Sequence, residues 1–128
     1  MAYRGVDVSP IAIDMARELS DAAGLTARCT FEVWDLDDGL PPGRPVDLLF
    51  CYLFRDTRLY TAMVERVSDG GLLAVATLSV VGGGGGEHRA LPDELERAFG
   101  HLDVLDRGES EGSTWILARK QDGLLVDT

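Results

Sequence analysis

GVDVSPIAIDMAREL, residues 5–19, passes from strand to helix within five positions, and that change decides the fold class. Tyr3 to Val8 ends on Val6 and Val8, as a short buried strand does. Ser9 can cap the unpaired N–H groups of a helix start, and Pro10 suits the first helical position. Ala12, Met15, Ala16, Leu19 and Ala23 recur at helical spacing and predict one apolar face. Gly24, able to adopt the left-handed conformation, ends the helix.

The same alternation continues downstream. Cys29, Phe31 and Val33 alternate with Thr30, Glu32 and Trp34, which predicts a strand over 28–36. Asp37-Asp38-Gly39 and Pro41-Pro42-Gly43 are turn chemistry. Val46 to Phe54 is apolar apart from Asp47, the pattern of a strand covered on both faces. A helix over 57–67 is expected to stop at Ser68-Asp69-Gly70-Gly71, before a second apolar strand over 72–78. Gly82 to Gly86 reads as a connector, Leu91-Pro92-Asp93 opens a helix to Phe99, and strands over 102–106 and 114–120 close the chain. Their short turn within Gly108–Gly112 predicts an antiparallel hairpin. The order β-α-β-β-α-β-α-β-β means an α/β domain with a mainly parallel sheet. The expected domain covers 1–120, with a flexible tail over 121–128.

Bulk properties bound the function. The 128 residues suffice for one core, with 45% apolar and 27% charged residues. A net charge of −10 and the lack of a basic stripe argue against nucleic acid as partner. The sequence contains no membrane-length apolar run, and MAYRGVDVSP has no leader pattern, so a cytoplasmic location is the expectation. Cys29 and Cys51 lack metal-ligand spacing and read as buried thiols, and no metal is expected. His88 and His101 stand apart from any triad or metal pattern. The Gly82–Gly86 run lacks the lysine and the spacing of a phosphate loop.

Three places can carry chemistry. Asp7 ends the first strand, and ligands of open α/β sheets bind beyond such ends. A carboxylate there can accept two hydrogen bonds from a ribose diol, or it can help to cap the helix beginning at Ser9. In the acidic turn 35–41, Asp35 can accept from an exocyclic amine while the Leu36 N–H donates to a ring nitrogen, which together read an adenine edge. Asp37 and Asp38 read as solvated. Cys51 and Tyr52, where an apolar strand runs out into a loop, can line a pocket or be plain core.

Taken in order, these stretches resemble the class I S-adenosylmethionine-dependent methyltransferases. GVDVSPIAIDMAREL resembles their second strand and following helix, and VWDLDDGLP (33–41) their acidic adenine-side loop. VDLLFCYLF (46–54) resembles their fourth strand, and VSDGGLLAVATLS (67–79) the glycine-led approach to the fifth. LPDELERAFGHLDVLDRGES (91–110) with STWILARK (113–120) resembles the closing helix and antiparallel hairpin.

The resemblance implies a Rossmann-like fold with S-adenosylmethionine as cofactor and a small-molecule methyl acceptor. It further implies that Asp7 holds the ribose hydroxyls, Val8 packs on adenine, Asp35 and the Leu36 N–H read its edge, and Cys51 and Tyr52 stand near the methionine end. It implies no catalytic base. The family's first strand, glycine-rich loop and helix should precede Gly5, where only four residues stand, so the N-terminal β-α unit is missing from this stretch. That strand belongs between those of Asp7 and Phe50. The chain is then a fragment, or pairs those strands directly, or forms a homodimer in which a second copy completes the sheet. A non-catalytic remnant or interaction module is the alternative function, and a nucleotide-binding oxidoreductase domain the second alternative.

Overall fold

The computed structural model describes residues 2–82 and 88–121. They form two compact units, 1–42 and 43–128. The glycine run beyond Gly82 and the tail beyond Gln121 lie outside the described residues.

The first unit holds β1 (Tyr3–Asp7), α1 (Pro10–Ala22) and β2 (Cys29–Val33). The strands pair in parallel from Tyr3↔Cys29 to Asp7↔Val33. Residues 36–38, expected to begin in a strand, form a single 3-10 turn instead, because the Asp35 carboxylate accepts from the Asp37 N–H and draws the chain round. At the start of α1, the Ser9 side chain accepts from the Ala12 N–H at 3.2 Å. At its end, Gly24 takes φ +72°. Ser9→Ala is therefore expected to destabilise this unit by about 1 kcal/mol, read from its thermal unfolding.

The packing face of α1 differs from the periodicity reading. Ile13 and Ser20 are buried, whereas Ile11, Met15 and Leu19 are 73%, 65% and 74% exposed. A two-stranded sheet covers only a narrow stripe of a helix, and α1 turns its 13–20 stripe to β1 and β2.

The second unit holds β3 (Val46–Tyr52), α2 (Tyr60–Arg66), β4 (Val67–Leu78), α3 (Glu94–Phe99), β5 (Asp103–Ser110) and β6 (Ser113–Arg119). Its sheet runs β3-β4-β6-β5. The β3–β4 pair is parallel, and β6 lies antiparallel to both β4 and β5. Strands β1–β2 and β3–β4 pair in parallel and the antiparallel pairs are those made by β6, in keeping with the expected Rossmann-like α/β fold that closes on an antiparallel hairpin. The closing hairpin is as expected, and its two-residue loop, Glu111-Gly112, has positive φ at both positions.

Two expectations need correction here. Ser68 to Gly71 does not break the chain between helix and strand. β4 already begins at Val67, and the Gly70 N–H and C=O bond to Lys120 O and the Arg119 guanidinium. The Lys120 ammonium instead closes α2, donating to the carbonyls of Val64 and Val67. Second, among the described residues of the second unit, β3 is covered on one face only. Leu73 and Val75 of β4 and Ile116 and Ala118 of β6 are buried with Met63 of α2 and Leu95 and Phe99 of α3. On the opposite face Leu48, Phe50 and Tyr52 are 52%, 63% and 61% exposed.

Candidate ligand-binding site

The C-terminal ends of parallel strands gather side chains that the sequence separates by dozens of positions. Asp7 is the last residue of β1, and Asp35 follows the last residue of its neighbour β2 by two. Between them the Trp34 N–H donates to Asp7 O at 3.0 Å, carrying the ladder one step past Val33. Both carboxylates are therefore delivered to the same end of the same strand pair.

Both are also anchored alike. Asp7 Oδ1 accepts from the Ser9 N–H at 2.8 Å, and Asp35 Oδ1 accepts from the Asp37 N–H at 2.9 Å. Each forms a local Asx turn in which one oxygen fixes the side chain. Asp7 thus supports the helix start as well, in line with its capping role. The 3-10 turn draws its donors from Asp37, Asp38 and Gly39, and the Leu36 N–H is not one of them. The Trp34 indole N–H donates to Gly39 O at 2.8 Å and holds the turn closed. Val8 is 62% exposed beside this end. Asp7, Val8, Asp35 and Leu36 are thus brought together at one end of the first unit.

Cys51 and Tyr52 belong to the second unit, at the C-terminal end of β3, and lie on opposite sheet faces. Cys51 Sγ approaches Phe54 O at 3.7 Å on the helix-covered side, and burial pushes its thiol pKa up. Tyr52 faces solvent, its ring 6.1 Å from Phe50. Both cysteines are free thiols. The chain leaves β3 through Leu53 at φ +56°, rare for a residue with a side chain, its N–H donating to Ala76 O at 2.8 Å.

A polar cluster beyond this strand end escaped the sequence reading. Glu94 accepts from Arg55 Nε at 2.8 Å, Arg55 Nη2 at 2.6 Å, the Tyr60 hydroxyl at 2.6 Å and the Leu91 N–H at 3.2 Å. Its side chain is only 8% exposed. Burial pushes the Glu94 carboxyl up, but the bonds from Arg55, Tyr60 and Leu91 outweigh it and hold the pKa at about 2. Burial, and next the bond to Glu94, push Tyr60 well above its usual range. The partners lie 34 and 39 residues from Glu94 in sequence, so no local pattern announces the cluster.

A cavity of about 210 Å³ opens between α3 and the β5–β6 hairpin. Within its lining Arg107 pairs with Glu96, and the Asp93 N–H donates to the Glu109 carboxylate. Among the described residues no three His, Cys, Asp or Glu side chains are placed to hold a metal. Nor is any described helix long and apolar enough to cross a membrane.

No protein-family model matches the chain, and no curated protein does. Solved structures do match in fold. The [4+2]-cyclase SpnF is similar over 96% of this chain, with a TM-score of 0.74 and 15% identity. TehB from Haemophilus influenzae is similar over 94%, with a TM-score of 0.79 and 14% identity. The N-methyltransferase NodS from Bradyrhizobium japonicum WM9 is similar over 94%, with a TM-score of 0.71 and 18% identity. The chain spans 67%, 50% and 74% of those three proteins respectively. It has the Rossmann-like α/β fold of the methyltransferases, as the resemblance implied. Fold alone does not name the reaction, and the cyclase in this set makes that plain.

Proposed function

We propose that this chain forms the adenosine-binding part of an S-adenosylmethionine-dependent methyltransferase domain acting on a small-molecule acceptor. One observation carries the reading: Asp7 ends β1 and Asp35 stands just past the end of its parallel neighbour β2, each with one oxygen anchored by a backbone N–H two residues on. That is a donor and acceptor set for an adenosine. Asp7 accepts from the ribose hydroxyls, Val8 lies against the base, and Asp35 with the Leu36 N–H reads its Watson–Crick edge.

The cofactor supplies an activated methyl group on sulfur. The chain's own contribution is to bind and orient, which is the larger part of catalysis in an in-line displacement. The charge of −10 favours a small acceptor over a nucleic acid.

Calorimetry with S-adenosylhomocysteine tests the reading. Heat of binding is expected, and Asp7→Ala is expected to weaken it by about 1–3 kcal/mol, the usual loss for hydrogen bonds to a charged group. An unchanged affinity would remove Asp7 from the site. No heat at millimolar ligand from a folded sample would leave a methyltransferase-type fold in a non-catalytic role, and binding of NADH instead would point to the oxidoreductase reading.

A further inference from the structure

The two parallel strands of the second unit leave their sheet at the same end, and both exits are tied down. Past β3, the Leu53 N–H donates to Ala76 O at 2.8 Å, and Asp56 turns the chain by accepting from the Arg58 N–H at 3.0 Å. Past β4, Ser79 is fully buried and bridges to Ala90. The Val80 N–H donates to Ala90 O at 3.0 Å and the Ala90 N–H to Leu78 O at 2.8 Å, so the chain comes back to β4 beside the place it left. From the same return, the Arg89 guanidinium donates to Ser79 O at 2.9 Å.

Glu94 joins the two exits. Its Oε1 accepts both from Arg55 Nη2, on the β3 side, and from the N–H of Leu91, one residue past Ala90. Its Oε2 accepts from Arg55 Nε and from the hydroxyl of Tyr60, the first residue of α2. One carboxylate thus bonds three segments of the chain. Arg55 offers its donors as a planar fork, which fixes direction as well as distance.

Stability alone is a weak reason for this arrangement. A buried ion pair gives up its hydration, and well-packed apolar residues of similar volume often serve stability as well or better. What apolar side chains do not supply is a directional link between segments. The place of the link gives it a use, because ligands of open α/β sheets bind beyond the carboxyl ends of the strands. Residues 53–55 and 79–80 follow those ends directly.

We propose that Glu94 is a positioning residue: through Arg55 and the Leu91 N–H it clamps the exit of β3 to the return from β4 and makes one rim of them at the carboxyl end of the parallel strands. The clamp lies within the second unit and does not rest on the adenosine reading above.

Backbone amide exchange followed by NMR on the full chain tests it. Arg55→Met combined with Glu94→Leu removes the clamp and leaves apolar groups in its place, so the fold is kept, as circular dichroism checks. The amides of Leu53, Val80 and Ala90 donate to backbone carbonyls and not to either substituted side chain. They are nevertheless expected to exchange faster on the order of tenfold, the factor that one lost hydrogen bond to a charged group carries in local opening. The amides of the β4–β6 ladder, which open with the whole sheet, are expected to keep their rates. Arg55→Lys keeps the charge and loses the fork, and is expected to show the same contrast at smaller size. It decides the question if the double variant does not fold. Unchanged exchange at Val80 and Ala90 would show that packing alone holds the return from β4, and overturns the proposal. Exchange that rises equally in the β4–β6 ladder overturns it too, since the pair would then stabilise the whole unit without positioning either segment.

Discussion

Glu94→Ala is expected to destabilise the second unit by about 3–5 kcal/mol, because it breaks a largely buried ion pair in which two Arg55 N–H groups donate to the carboxylate. The same change strands the Tyr60 hydroxyl and the Leu91 N–H, which both donate to this carboxylate. Urea unfolding followed by fluorescence measures the loss as a fall in midpoint. The carboxyl is held at about 2 against an ordinary 4.5, so its stabilising contribution is whole above pH 4.5 and lost as pH falls toward 2. On that shift the acid branch is worth roughly 3 kcal/mol. In Glu94→Ala this branch should flatten while that of the surface carboxylates remains. Tyr60 sets the other limit. Its raised pKa means its contribution is whole below pH 10 and fades as the solution becomes more alkaline.

The parts of the fold written in local chemistry were legible, and those set by distant packing were not. Ser9-Pro10 and Gly24 bound α1 to the residue, since a cap, a fixed φ and a left-handed stop act within a few positions. The order of strands and helices follows from runs of that kind. Which stripe of α1 is buried does not, because Met15 and Leu19 are as apolar as Ile13 and only the width of the β1–β2 pair decides among them. VDLLFCYLF reads as doubly covered because apolarity records a demand for cover, not its fulfilment. Ser68 to Gly71 reads as a break because glycine marks turns, yet β4 carries these residues against its neighbours. There Gly71 lies so near Ser68 O and Asp47 O that a Cβ would stand 2.9 and 3.0 Å from them. At the candidate site, Asp7 and Asp35 were legible as strand-end acids. Their matching backbone anchors depend on the turn each enters, which no spacing prints. Arg55 and Tyr60 stand close together in sequence, but Glu94 lies 39 and 34 residues from them, and only the packing of the segment that enters α2 against α3 joins the three.

Phe99→Ala should be comparably damaging for a different reason, costing about 3–5 kcal/mol through the cavity it opens. Phe99 is fully buried at the end of α3, and its ring meets Tyr60 edge to face at a centroid distance of 5.0 Å. Deleting it removes the apolar contact and also a support of the Tyr60 ring, which the hydroxyl bond to Glu94 holds as well. The losses from Phe99→Ala and Glu94→Ala are therefore not independent. Once Phe99 is gone the Tyr60 ring can shift, and part of what Glu94→Ala would take away is already lost. A double-mutant cycle should show the pair costing less than the two single losses together, with a coupling of about 0.5–3 kcal/mol. Leu73→Ala, also fully buried but in β4 and outside this cluster, supplies the comparison. Its loss should add to that of Glu94→Ala within about 0.5 kcal/mol if coupling runs through Tyr60 and not through the core at large. Equal coupling for Leu73 and Phe99 would show that the buried face responds as one body and that Tyr60 has no special part in it.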